Sequence, residues 1–184
     1  MSSDDLAELG GLTSAQVRKD LSVFGNFGVR GRGYNVDDLH GVLRKILGLD
    51  QTWLCVVVGA GRLGSALTSY PEFASQGFHI VGVFDSDPKQ CGRQLGATIV
   101  RPIGELEEFA RKESASVGII ATPASAARES ADRLIRGGIR GILNFAPTSL
   151  DVPEGVSVRH VNLAIELEGL SFAITTADLP GELA

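Results

Sequence analysis

The sequence predicts an α/β fold in three parts: a small helix–turn–helix module with a β-wing, a doubly wound parallel sheet, and a closing apolar helix. Three observations carry that prediction. From residue 53 onward, short apolar runs alternate with helical segments, the pattern of a parallel sheet with helices on both faces. "VVVGAGRLGSAL" (56–67) sets three glycines at a strand-to-helix turn,. "DDLAELGGLTSAQVRKDLSVFG" (4–25) has the form helix, tight turn, helix,.

The front module is expected over residues 1–50. Gly10 and Gly11 supply its turn, and Thr13 with Gln16 makes a T-x-x-Q capping box that opens the second helix,. On that helix Val17, Leu21 and Phe24 fall at i, i+4 and i+7 and form a core stripe,. Ser14, Gln16, Arg18, Lys19 and Ser22 lie off the stripe, where short polar and basic side chains suit a DNA-reading helix,. An ordinary amphipathic helix with solvated charges has the same layout. "GVRGRGYNV" (28–36) adds weight to the first reading: Gly31 and Gly33 allow a hairpin whose tip holds Arg30 and Arg32,. Such a tip can reach phosphates or a narrow minor groove. "VDDLHGVLRKIL" (36–47) then reads as a helix with Leu39, Val42, Leu43 and Ile46 facing inward,. Together these elements make a winged-helix module.

Charge agrees with that placement. The chain has 184 residues, 43% apolar and 21% charged, with a net charge of −5. This is a globular composition, enough for one ordinary domain or two small ones, and it excludes a generally basic nucleic-acid coat. Within residues 16–34, however, Arg18, Lys19, Arg30 and Arg32 stand against Asp20 alone,. Cys55 and Cys91 have no Cys or His neighbours at metal-ligand spacing, so neither a zinc site nor a disulfide is expected,. The first residues are polar and acidic, unlike a signal peptide, and no apolar run approaches the ~20 residues of a membrane span. A reducing cytoplasm is the expected compartment, with no membrane partner.

A break at "GLDQT" (48–52) opens the sheet domain, expected over 51–162. "WLCVVV", "FHIVGVF", "ATIV", "SVGIIA", "RGILNF" and "VSVRHV" read as its strands, with helices starting near Arg62, Ile103 and Ala124,. Residues 163–184 are expected to form a closing helix, apolar on much of its surface, and a frayed tail,.

Gly59, Gly61 and Gly64 have the G-x-G-x-x-G spacing of a Rossmann-like turn. The first would allow the tight turn, the second the approach of a pyrophosphate, and the third close helix–strand packing. Ala60, Arg62 and Leu63 complete the loop and the helix start, where free N–H groups attract phosphate. Asp85 ends the next strand, 21 residues beyond Gly64. A carboxylate there accepts from both ribose hydroxyls and repels a 2′-phosphate, so NAD(H) is favoured over NADP(H). A generic strand–helix turn with a solvated Asp85 is the competing reading. Two further loops end strands on the same edge: "ATPAS" (121–125), with Thr122 and Pro123, and "NFAP" (144–147), with Asn144 and Phe145. For each loop an ordinary turn competes with a binding role.

Turnover is not indicated. Only 120 residues follow Gly64, and completing the sheet uses them. His79 and His160 have no catalytic neighbourhood, and Lys19, Lys45, Lys89 and Lys112 do not cluster with carboxylates,. Binding without catalysis is the favoured reading. The alternative is a nucleotide-binding module, or a small NAD-dependent or CoA-binding enzyme subunit, that does not bind DNA.

Nearly the whole chain resembles, in order, the Rex family of redox-sensing transcriptional repressors. The matching stretches include "SAQVRKDLSVFGNFGVRGRGYNV", "VVVGAGRLGSAL", "FASQGF", "GIIATPA" and "ILNFAPTSLDVPEGVSVRHVNLAIEL". The resemblance implies a homodimer that holds operator DNA when NAD⁺ dominates and releases it when NADH binds. It places Ser14, Arg18 and Lys19 in the major groove and Arg30 and Arg32 in the wing. For the dinucleotide it implies Gly59, Gly61, Arg62, Leu63, Gly64 and Asp85, with Tyr70 near the nicotinamide. It also implies that the closing helix crosses to the partner subunit as a domain swap, bringing Phe172 near the partner's cofactor. Two departures follow from the same resemblance. The winged-helix module is expected to lack its first helix, together with an arginine that helix supplies to the switch. Asn162 stands where members carry an aspartate of the same charge network.

Overall fold

A left-handed glycine makes the first turn of the chain. The computed structural model describes residues 1–29 and 32–177, in two compact units, Met1–Thr52 and Trp53 onward. In the first unit, α1 (Ser3–Gly10) ends at Gly11, whose φ of 62° costs glycine little,. α2 (Ser14–Ser22) follows, and Thr13 Oγ1 accepts from the Gln16 N–H at 3.2 Å as its cap,. A complete capping box that the sequence reading did not include starts α1. Ser2 Oγ accepts from the Asp5 N–H at 3.1 Å, and the Asp5 carboxylate accepts from the Ser2 N–H at 2.7 Å,. The Ser2 N–H, with the Ser2 hydroxyl beside it, holds the Asp5 carboxyl below its ordinary value,.

The wing is the antiparallel pair β1 (Gly28–Val29) and β2 (Gly33–Tyr34). Gly33 takes a φ of 76°, while Arg30 and Gly31 lie outside the described residues. Met1 runs beside β2: its carbonyl accepts from the Tyr34 N–H at 2.8 Å, and its amine donates to the Tyr34 carbonyl at 3.2 Å. Asn35 caps α3 (Val36–Ile46) by accepting from the Asp37 N–H at 3.1 Å. Ala7, Val17 and Leu39 are buried.

Phe24 departs from expectation. It is 53% exposed, because α2 stops at Ser22 and the i+7 position falls beyond the helix. Val42 and Ile46 are also exposed, and Leu43 is half-buried. Two short helices, α1 and α2, and a hairpin of two-residue strands cover too little of α3 to bury its whole stripe.

The second unit is built around β3 (Trp53–Val58). Its other strands are β4 (Phe78–Asp85), β5 (Gln94–Leu95), β6 (Thr98–Pro102), β7 (Val117–Ile120), β8 (Gly141–Asn144) and β9 (Ser157–His160), in the spatial order β5-β6-β4-β3-β7-β8-β9. All pairs are parallel except β5 with β6. Alternation along the strands sorts the core into two layers. Val56, Val58, Ile120 and Ile142 pack with Leu106 and Ala110 of α6 (Leu106–Lys112) and with Ala127 and Leu134 of α7 (Ala124–Arg136). Val57, Val83 and Ile119 turn to the other face, with Leu67 of α4 (Arg62–Thr68) and Phe73 of α5 (Pro71–Ser75). Each fully buried aliphatic side chain contributes about 1.5–3 kcal/mol. The sequence reading did not include the short α5 and β5.

The second face is only partly covered. The crossover from β8 to β9, residues 145–156, contains no helix. An apolar groove of about 560 Å³ remains, lined among others by Tyr70, Phe73, Ile119, Leu143 and Arg159. α8 (Leu163–Ala177) leaves β9 through Asn162, whose Oδ1 accepts from the Ala164 N–H at 3.0 Å. Its large apolar side chains, Leu163 to Ile174, are all exposed, with Phe172 at 71%. No helix among the described residues is long and apolar enough to cross a membrane.

Candidate dinucleotide site and helix–wing surface

In a parallel sheet a crevice opens where strand order reverses, because the loops on either side run apart. Here β4 lies on one side of β3 and β7 on the other, so the crevice falls between the loops that leave β3 and β7. The glycines of the first loop have separate jobs. Gly59 has a φ of 101°, and a Cβ there would stand 2.6 Å from the Ala121 carbonyl oxygen. A Cβ on Gly64 would overlap the Gly59 carbonyl. At Gly61 a Cβ would meet nothing within 4 Å, so that space is open to a ligand. Gly61 is also the N-cap of α4 and offers no side chain to the first-turn N–H groups,.

A cavity of about 220 Å³ lies at this edge, lined by Gly59, Gly61, Asp85, Ser86, Thr122 and Pro123 among others. Asp85 Oδ2 accepts from the Ala60 N–H at 2.6 Å, and Oδ1 accepts from the Asp87 N–H at 2.8 Å. Each oxygen keeps a further lone pair for a hydroxyl. The Thr122 hydroxyl oxygen is buried and has no hydrogen-bond partner among the described residues, which is costly unless a ligand supplies one. The open space at Gly61, the spare acceptors of Asp85 and the unpaired Thr122 hydroxyl all fit the ribose and phosphate of a dinucleotide.

The other residues picked out by the sequence do not line this cavity. Ala60 is fully buried, with its amide used by Asp85. Arg62 and Leu63 are exposed on the first turn of α4. Tyr70 caps α5 and stands edge-on to Phe73 at 5.2 Å, on the apolar groove. Phe145 packs into the second core layer. The Asn144 side chain is used inside the fold: its Nδ2 faces the Ala146 and Thr148 carbonyls at 3.2 and 2.9 Å and His160 Nδ1 at 3.0 Å. Its Oδ1 accepts from the Ala146 N–H at 3.0 Å. That side chain anchors the loop after β8.

One residue here was missed. Arg93 donates to the Ala60 carbonyl at 2.6 Å and to Ser65 Oγ at 2.7 Å. It lies 33 residues beyond Ala60, at the foot of the short β5, and nothing in the sequence marks it. Cys55, in the floor of the apolar groove, is a buried thiol whose pKa burial pushes up to about 11,. Among the described residues no group of His, Cys, Asp and Glu could hold a metal ion.

On the first unit, Gln16, Arg18, Lys19, Ser22 and Arg32 are exposed and Ser14 is half-buried. Arg18 and Arg32 line one concavity of about 690 Å³, with Ser22, Phe27 and Tyr34. The helix and the wing thus bring two guanidinium groups to the same hollow. Ser22 turns its hydroxyl back to the Lys19 carbonyl at 2.6 Å. Arg18, Lys19 and Arg32 make no ion pair with any described residue. Arg30, expected at the wing tip, lies outside the described residues.

Comparison with known proteins follows the same division. Residues 50–148 match the family model described as CoA binding domain. The redox-sensing transcriptional repressor Rex of Carboxydothermus hydrogenoformans is 54% identical over 174 residues, covering 95% of this chain and 84% of that protein. The Rex repressor of Streptomyces coelicolor is 47% identical, over 94% of this chain and 67% of that protein. Among solved structures, RSP in complex with β-NAD⁺ and operator DNA is 39% identical with a TM-score of 0.89, covering all (100%) of this chain and 87% of its own. RSP in complex with β-NADH is 37% identical with a TM-score of 0.82, over 97% of this chain and 83% of its own. These relatives are repressors. With such similarity over nearly the whole chain, and with residues 50–148 matching the CoA binding domain, the chain belongs to the Rex family of redox-sensing transcriptional repressors.

Proposed function

We propose that this chain is a cytoplasmic repressor that binds operator DNA through α2 and the wing and lets go when NADH occupies the crevice at Gly59–Gly64 and Asp85. The observation that carries the reading is the coexistence of two features in one chain. One is a dinucleotide crevice with an unpaired Thr122 hydroxyl. The other is a separate unit presenting Arg18 and Arg32 to one hollow. An enzyme has no use for the second feature. A similar repressor crystallised with β-NAD⁺ and operator DNA supports it.

Each residue then has a task. Asp85 accepts from the adenine-ribose hydroxyls, and Gly61 leaves room for the pyrophosphate against the N-terminus of α4. Thr122 and Pro123 close the far wall. Arg18, Lys19, Arg30 and Arg32 neutralise DNA phosphates, with Ser14 and Gln16 toward base edges. α8 docks its apolar surface in the groove beside Tyr70 and Phe73 of a second copy, making the dimer. The cofactor supplies one chemical difference, the positive charge on the nicotinamide ring of NAD⁺ that NADH lacks. A switch needs one conformation of the dimer to favour NADH, because equal affinity for both shifts nothing. In this reading Tyr70, at the groove rim, reads that ring.

A gel shift with a palindromic operator duplex tests the reading. Binding should weaken with salt and be relieved by NADH but not by NAD⁺. A chain that ignores duplexes at low ionic strength, or holds them equally with either nucleotide, rules it out.

A further inference from the structure

Ala60 is gripped at both ends by opposite charges. Its N–H donates to the Asp85 carboxylate at 2.6 Å, and its carbonyl accepts from the Arg93 guanidinium at 2.6 Å. The same Arg93 nitrogen reaches Ser65 Oγ, one turn into α4, at 2.7 Å. Its partners are thus a neutral carbonyl and a neutral hydroxyl. Arg93 makes no ion pair with any described residue and is exposed. Its full charge stays available, and its other guanidinium nitrogens have donors to spare.

We propose that Arg93 is a second specificity-determining residue at the adenine-ribose end of the dinucleotide site, poised to hold a 2′-phosphate when the Asp85 charge is removed. The inference rests on the dinucleotide reading above. Asp85 lines the cavity with Gly59 and Gly61, and Arg93 is held next to it, on the carbonyl of the residue between those glycines, Ala60. A ribose seated against Asp85 brings its 2′ position to the place where both charges act. With a 2′-hydroxyl there, the carboxylate accepts a hydrogen bond and dominates. With a 2′-phosphate the two residues oppose each other: the carboxylate repels the dianion and the guanidinium pairs with it. Asp85 sets the preference for NADH, and Arg93 limits how strongly the 2′-phosphorylated form is refused.

The test is a titration of the full chain with NADH and with NADPH, for the wild type, Asp85→Asn, Arg93→Gln and the double variant. Asparagine keeps only one of the two acceptors that the Ala60 and Asp87 N–H groups use, so the fold of that variant is checked by melting, whereas glutamine can still donate to the Ala60 carbonyl. Asp85→Asn should shift the NADPH-to-NADH affinity ratio toward NADPH by about tenfold or more, the size of one charge-assisted bond. Adding Arg93→Gln should cancel most of that gain, while NADH affinity changes by less than about threefold. Arg93→Gln alone should widen the preference for NADH, and this arm decides the matter if Asp85→Asn fails to fold. If Arg93 only clamps the loop, its replacement weakens both nucleotides equally and leaves the ratio unmoved, which overturns the proposal. Wild-type chain that binds neither nucleotide overturns the functional reading and this one together. Wild-type chain that binds NADH, with the ratio unmoved by Arg93→Gln, overturns this one alone.

Discussion

Gly61 and Gly64 look interchangeable in the motif, yet the structure separates them. A Cβ at Gly64 runs into the Gly59 carbonyl, whereas one at Gly61 enters open space. Gly64→Ala should therefore lower the melting temperature, with a loss of about 2 kcal/mol or more, and calorimetry checks this. Gly61→Ala should melt like the wild type and lose dinucleotide affinity by at least about tenfold, because only a bound pyrophosphate meets the new methyl group. Glu107 gives a pH-dependent case. Its carboxyl accepts from Arg136 at 2.9 Å, with Arg133 close by at 3.6 Å, and these cations hold it below its ordinary value of 4.5. A depressed carboxyl stabilises the fold above its unfolded pKa and stops doing so as pH falls through the folded value. Glu107→Gln should therefore be less stable than wild type at pH 7, by less than about 1 kcal/mol for so exposed a pair. The difference should begin to shrink as pH falls below 4.5 and vanish only beneath the lowered folded value,. The motif glycines and Asp85 were legible in the sequence because their spacing is local. Asn144 was legible as a position but not in its role, since its partner His160 sits on another strand. Arg93 was not legible at all, because only the fold brings it to Ala60.

At the scale of elements, α2 and the wing offer the sharpest forecast. Arg18 lines the hollow shared with Arg32 and has no acidic partner among the described residues. Arg18→Ala should weaken operator binding and reduce the slope of log affinity against log salt by about one. A fluorescence-anisotropy titration at several salt concentrations reads both. The strands were legible because runs buried on both faces are continuously apolar. α5 and β5 were not, being five and two residues long, too short for any period to show. Phe24 was misplaced for a related reason: periodicity carried the α2 stripe on, while the chain left the helix at Ser22.

For the whole molecule, the decisive fact is an imbalance of cover. Among the described residues no helix covers β8 and β9 on the sheet face beside Phe73, and α8 leaves its apolar side chains in water. Surfaces of this kind are buried when a second copy supplies what the first lacks. Leu167→Glu should shift the chain from dimer to monomer in sedimentation, with operator affinity falling sharply. Wild-type chain should melt at temperatures that rise with its concentration. On the proposed dimer, a newly synthesised copy is left unfinished until it meets another. How fast the gene is expressed therefore decides when the first working regulator exists, before any metabolite has a say.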